Sequence, residues 1–101
     1  MTSCRASLCA WNADGEPIGS WDSPLPDDAD NHVDHLLHLA GVIDEHAALL
    51  AGADDVRMVL TVERGPVGAA AAVTVPAEVI AALAGVGGYL WIDAYQNTDE
   101  G

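Results

Sequence analysis

A chain of 101 residues, half of them hydrophobic, is the size of one domain and can bury one modest core. Sixteen acids face three bases (Arg5, Arg57 and Arg64) and lysine is absent, so a net charge of −13 argues against nucleic acid and anionic membrane and favours a basic protein partner. No apolar run approaches the roughly 18 residues of a membrane span, and no long apolar stretch follows Met1-Thr2-Ser3-Cys4-Arg5 as in a secretory leader, so the expected compartment is the cytoplasm.

The charge has a second reading, solubility alone. The wealth of alanine and the lack of Phe and Lys fit a compositional bias as well as selection for a partner.

Residues 3–11 alternate as a strand does, with Cys4, Ala6, Leu8 and Ala10 on one face and Arg5, Ser7, Cys9 and Trp11 on the other. This sets Cys4 and Cys9 on opposite faces, roughly 16 Å apart at about 3.3 Å per residue. They cannot bond to each other, which fits a reducing compartment. Residues 12–30 hold two Gly, three Pro and six acids and read as an extended acidic loop, tacked down by Trp21.

A helix is expected next, capped by Asp30 or Asn31, with Val33, Leu36, Leu37 and Ala40 as its apolar stripe and Gly41 loosening it. A second short helix spans about Asp44 to Ala51. Residues 56–63 form a clear strand with Val56, Met58, Leu60 and Val62 inward, ended by the turn Arg64-Gly65-Pro66. Residues 67–74 are expected to return as a thin alanine-rich strand, with Val67, Ala69, Ala71 and Val73 inward.

Pro76 suits the first turn of a last helix, capped by Thr74 or Val75 and striped by Val79, Ile80, Leu83 and Ala84. Gly85, Gly87 and Gly88 stop it. Tyr89 to Tyr95 is the closing strand with Leu90, Ile92 and Ala94 inward, and residues 96–101 are a polar tail. The order predicts a single α+β domain of ferredoxin-like βαββαβ type: a four-stranded antiparallel sheet with helices on one face and strand 1 between strands 3 and 4. Leu8, Leu37, Met58, Leu60, Leu83 and Ile92 would share its core.

The run Val73-Thr74-Val75-Pro76-Ala77-Glu78, followed by Leu83-Ala84 and Leu90-Trp91-Ile92-Asp93-Ala94-Tyr95, resembles the closing helix and strand of the bacterial domain of unknown function 4279 family, with its Ser-Pro-Glu helix start and Ile-Asp-x-Tyr ending. Asn31-His32-Val33-Asp34-His35-Leu36-Leu37 is similar to that family's middle helix, and Trp21 to its preceding tryptophan. The pattern covers residues 20–95 and is most specific at the end. Val75 stands where the family has a Ser cap, and the loop after strand 1 is short. The resemblance implies a compact α+β domain and no reaction; for some members it implies a place near toxin and immunity genes.

Candidate chemistry is sparse. His35 and His38, at i and i+3 on the expected polar side of the helix, could chelate a metal with Asp34 or Asp30, but the same residues also make an ordinary solvated face. The acid pairs Asp27-Asp28, Asp44-Glu45, Asp54-Asp55 and Asp99-Glu100 sit at loops and helix ends, where capping and solubility explain them better than general acid–base work. No Gly-x-Ser-x-Gly occurs, and Gly85-Val86-Gly87-Gly88 precedes a strand, so it offers no helix N-terminus to a phosphate. No cofactor is implied.

The sheet face away from the helices carries the functional expectation. Arg5, Trp11, Arg57, Tyr89, Trp91, Asp93 and Tyr95 fall there by alternation, with all but one of the five aromatics. An exposed aromatic patch on a sheet marks an interface. Asp93 is expected to pair with Arg5 across strands 4 and 1. RNA could stack on such a face, but the charge opposes it. Alternatively the 12–30 loop, led by Trp21, folds over the patch and buries it.

The expected function is a non-catalytic, acidic protein-binding domain of immunity-protein or inhibitor type, docking a protein partner or a second copy of itself. The alternative is a small-ligand-binding or metal-binding domain that uses the His-bearing helix.

Overall fold

The structure, a computed structural model, describes residues 3–25, 32–64 and 73–96. It is an α+β arrangement in the order β1 (Ser3–Trp11), β2 (Pro17–Asp22), α1 (His32–Glu45), α2 (Ala47–Ala51), β3 (Asp55–Arg64), α3 (Ala77–Gly85) and β4 (Tyr89–Gln96). The four strands form one sheet in the order β2-β1-β3-β4. β1 runs antiparallel to both β2 and β3, whereas β3 and β4 are parallel. No helix among the described residues is long and apolar enough to cross a membrane.

The inward halves of β1 and β3 are as their alternation dictates. Cys4, Ala6, Leu8 and Ala10 of β1 and Val56, Met58, Leu60 and Val62 of β3 are all buried. Leu36, Leu39, Ala40 and Ile43 of α1, Leu50 of α2, and Val79 and Leu83 of α3 close over them in one cluster, so the helices share one face of the sheet. Burying a Leu, Met or Val side chain contributes roughly 1.5–3 kcal/mol. Cys4 is buried on this face, while half-buried Cys9 lies on the other and contacts Ser20 Oγ at 3.6 Å.

Four expectations need correction. First, the sheet is mixed and not antiparallel, and β4 lies beside β3 rather than β1. A strand that leaves β3, crosses through a helix and returns comes back parallel. The strand expected over 67–74 falls mostly outside the described residues; 73–76 belong to no strand, though Val73 and Val75 pack against the core.

Second, the expected 12–30 loop contains β2. Asn12 organises the hairpin: its Oδ1 accepts the N–H groups of Asp14 and Glu16 at 2.9 and 3.0 Å, and Gly15 supplies a left-handed φ of 81°. A register shift between Ala10 and Trp11 puts Ile18 and Trp21 out of simple alternation. The Trp21 indole lies over Gly19, where a Cβ would overlap the ring.

Third, α1 is rotated from its expected phase. Its buried residues are His35, Leu36, Leu39, Ala40 and Ile43, and Leu37 is 38% exposed. The helix passes through Gly41 without interruption and breaks at His46. The expected caps Asp30 and Asn31 lie outside the described residues.

Fourth, Ile92 shares a face with Leu60, its register partner, but is 41% exposed because β4 lies at the sheet's edge. The other expected core residues, Leu8, Met58, Leu60 and Leu83, are buried together.

The α3 boundaries follow local chemistry. Pro76 sits at the N-cap itself, with extended backbone and no side-chain cap, so neither Thr74 nor Val75 has to serve. At the other end Gly88 N–H donates to Leu83 O at 2.8 Å and Gly87 N–H to Ala84 O at 3.2 Å, with Gly87 at φ 68°. This double closure is the usual glycine-dependent helix stop. Gly88 then passes against Val56, and a Cβ there would meet Val56 O at 3.1 Å. The stop thereby aims β4 along β3.

Candidate partner-binding face

The face opposite the helices is built by residues two apart on three strands. β1 sends Arg5, Ser7, Cys9 and Trp11 to it, β3 sends Asp55, Arg57, Val59 and Thr61, and β4 sends Tyr89, Trp91 and Asp93. β2 adds Ser20 and Asp22, the partners of Cys9 and Ser7. The backbone of Tyr95 belongs to β4, and its side chain lies outside the described residues.

Arg57 is the centre of the face. Tyr89 is its register partner on β4, while Trp11 and Trp91 are diagonal neighbours on the flanking strands. Diagonal positions are within reach of long and aromatic side chains. The guanidinium carbon lies 4.9 Å from the Trp11 ring centroid, 5.1 Å from Trp91 and 5.6 Å from Tyr89. Arg57 Nε–H donates to the Tyr89 hydroxyl at 2.6 Å, and Nη2 lies 3.7 Å from Asp55 Oδ2. A planar cation attracts ring faces, at about 0.5–1 kcal/mol for each exposed pair. Arg57 thus gathers three aromatics from two strands into one platform, on which Trp91 stays 51% exposed.

Arg5 and Asp93 do not pair. Each is the register neighbour of Thr61, on opposite sides of it, so β3 separates them. Arg5 instead borders a recess of about 330 Å³ with Ser7, Val59, Thr61, Asp22 and Ser23. The recess brings the Arg5 guanidinium, the Asp22 carboxylate and the hydroxyls of Ser7, Ser23 and Thr61 around one space.

The described part of the 12–30 segment does not cover this face. Residues 17–22 extend the sheet sideways, beyond β1. Trp21 lies on the helix side, its ring 5.0 Å from that of His46, packed against the core.

The histidines expected to share a polar helix face are separated. His35 is fully buried, its Nδ1 hydrogen-bonded to Ser23 Oγ at 2.7 Å; His38 and Asp34 are exposed. His32 Nε2 accepts the N–H of Thr74 at 2.9 Å and links α1 to the segment before α3. Among the described residues no three His, Cys, Asp or Glu side chains gather in a group that could hold a metal ion. The sequence therefore misplaced His35, a core residue whose partner came from the unrecognised β2 segment. Gathering of the rings by Arg57 was not legible either, because Tyr89 and Trp91 come beside Arg57 only through the parallel pairing of β4 with β3.

No family model, no curated protein and no solved structure matches this chain.

Proposed function

We propose that this is a non-catalytic protein-binding domain that docks a protein partner through the outer sheet face. The observation that carries the reading is the Arg57 platform: two tryptophans and a tyrosine held around one guanidinium, with Trp91 half exposed. Trp, Tyr and Arg are the residues that dominate binding energy at interfaces. Here they are pre-assembled, so little ordering entropy remains to be lost on docking. The acidic balance selects for a partner with exposed Lys or Arg and speeds its approach at low ionic strength. An immunity or inhibitor role is the most concrete form of this reading.

Trp91→Ala tests it. Losing an anchor of this kind costs at least about 2 kcal/mol, some thirtyfold in affinity. A partner captured by the wild-type chain should be lost by Trp91→Ala while the thermal melt stays close to wild type. A partner held equally well by both proteins would remove the sheet face from the function.

A further inference from the structure

We propose, building on the sheet-face reading, that the free edge of β4 accepts an extended strand of a basic partner. Three observations meet at this edge. Among the described residues no strand pairs with the far side of β4, and a strand edge of this kind presents a row of backbone donors and acceptors. On the outer side of the strand stand Tyr89, Trp91 and Asp93, all exposed. On the helix side an apolar groove of about 250 Å³ lies between α3 and β4, lined by Val75, Ile80, Leu83, Ala84 and Leu90. Ile92 continues the same helix-side row, and Ile80 is 58% exposed.

A strand paired with β4 would send successive side chains to opposite sides. One set meets the groove and Ile92, where aliphatic residues gain burial. The other set meets Trp91, Tyr89 and Asp93. Trp91 and Tyr89 present ring area to a cation, and no described residue gives Asp93 an ion-pair partner. The edge therefore asks for an alternation of aliphatic and basic residues, with backbone hydrogen bonds supplying affinity and the two rows of side chains supplying specificity.

Charge decides between a basic partner and a second copy of this chain. A second copy brings another −13 with only three cations, and antiparallel pairing of β4 with itself draws the two Asp93 carboxylates together. A lysine- or arginine-bearing strand meets neither penalty.

The probe is an acetylated, amidated octapeptide alternating lysine and valine, titrated into the full chain by calorimetry and by amide chemical shifts. It should bind with shifts along β4 and not along β2. The glutamate–valine version should bind at least about tenfold more weakly, and N-methylation of alternate amides, in both phases, should weaken binding by a similar factor in the phase that faces β4. Ile80→Ser, at an exposed helix position, should weaken binding about fivefold or more without altering the melt.

If Trp91→Ala weakens binding but N-methylation in either phase and Ile80→Ser do not, strand addition is overturned while the sheet-face reading stands. If the lysine peptide does not bind at all, the proposal fails, and capture with Trp91→Ala decides the sheet face separately. A dimer abolished by Ile80→Ser would give the edge to a second copy and overturn the basic partner.

Discussion

The sheet has two edges, and they are built on opposite principles. β2 is six residues long, begins with Pro17, carries Gly19 and is thrown out of register beside Trp11. It is also fastened down. Trp21 packs against His46, and Ser23, just past its end, bonds the buried His35 and donates its N–H to Ala6 O at 3.0 Å. β4 is eight residues long, has no Pro or Gly, and exposes large apolar side chains on both faces. A short, bulged edge bearing Pro is the form that resists pairing, and a long apolar edge is the form that invites it. The difference teaches that exposed apolar area is not spread evenly over the sheet: the β2 edge is packed down onto the domain, while the β4 edge keeps large apolar side chains exposed.

Substitutions at the two edges should therefore report in different assays. The largest effect is expected from His35→Ala. It removes a fully buried side chain and its hydrogen bond with Ser23, so the protein should lose about 2–4 kcal/mol. Urea unfolding measures this; a loss under about 0.5 kcal/mol, the level of a surface substitution, would mean that β2 is not anchored through the helix. Gly19→Val comes next, at about 1–3 kcal/mol, because its side chain must displace the Trp21 ring. The expected signs are a lower melting temperature and a shifted tryptophan emission. An unchanged melt would erase the contrast between the edges.

Arg57→Ala should cost less, about 1–2 kcal/mol, by releasing the contacts to Trp11, Tyr89 and Trp91. Its clearer effect should be on ring order, seen as averaged aromatic NMR signals. Arg57→Lys should not restore that order, since an ammonium group has neither the plane nor the Nε–H that reaches Tyr89. A Lys variant with wild-type ring signals would reduce the platform to a point charge.

Legibility in the sequence followed the regularity of the pattern. Where one face of a strand is wholly buried, period-two alternation fixes the other face. Arg5, Trp11 and Arg57 thus fell on the correct side of the sheet, and Tyr89, Trp91 and Asp93 did so by alternation alone, since the inner face of β4 is only partly buried. In β2 the register shift breaks that period, and Pro17 and Gly19 imitate a loop; only Asn12 and Asp14-Gly15 hinted at a hairpin. The phase of α1 was misread because a histidine counts as polar until its buried partner, Ser23, is known. Strand order was lost because the order of elements suggested a ferredoxin-like antiparallel sheet with the closing strand beside strand 1, whereas β4 returns parallel to β3.

The blunted start of β2 has a further consequence, for assembly. Filaments grow when one surface of a subunit meets a different surface of the next, so the contact never closes on itself. For a sheet of this kind that contact would be the open edge of one copy against the opposite edge of another. Pro17 offers no N–H, and the register shift at Trp11 twists the edge away from a straight ladder. Each such contact must use the blunted β2 edge, so growth by repeated edge-to-edge addition is checked at every contact.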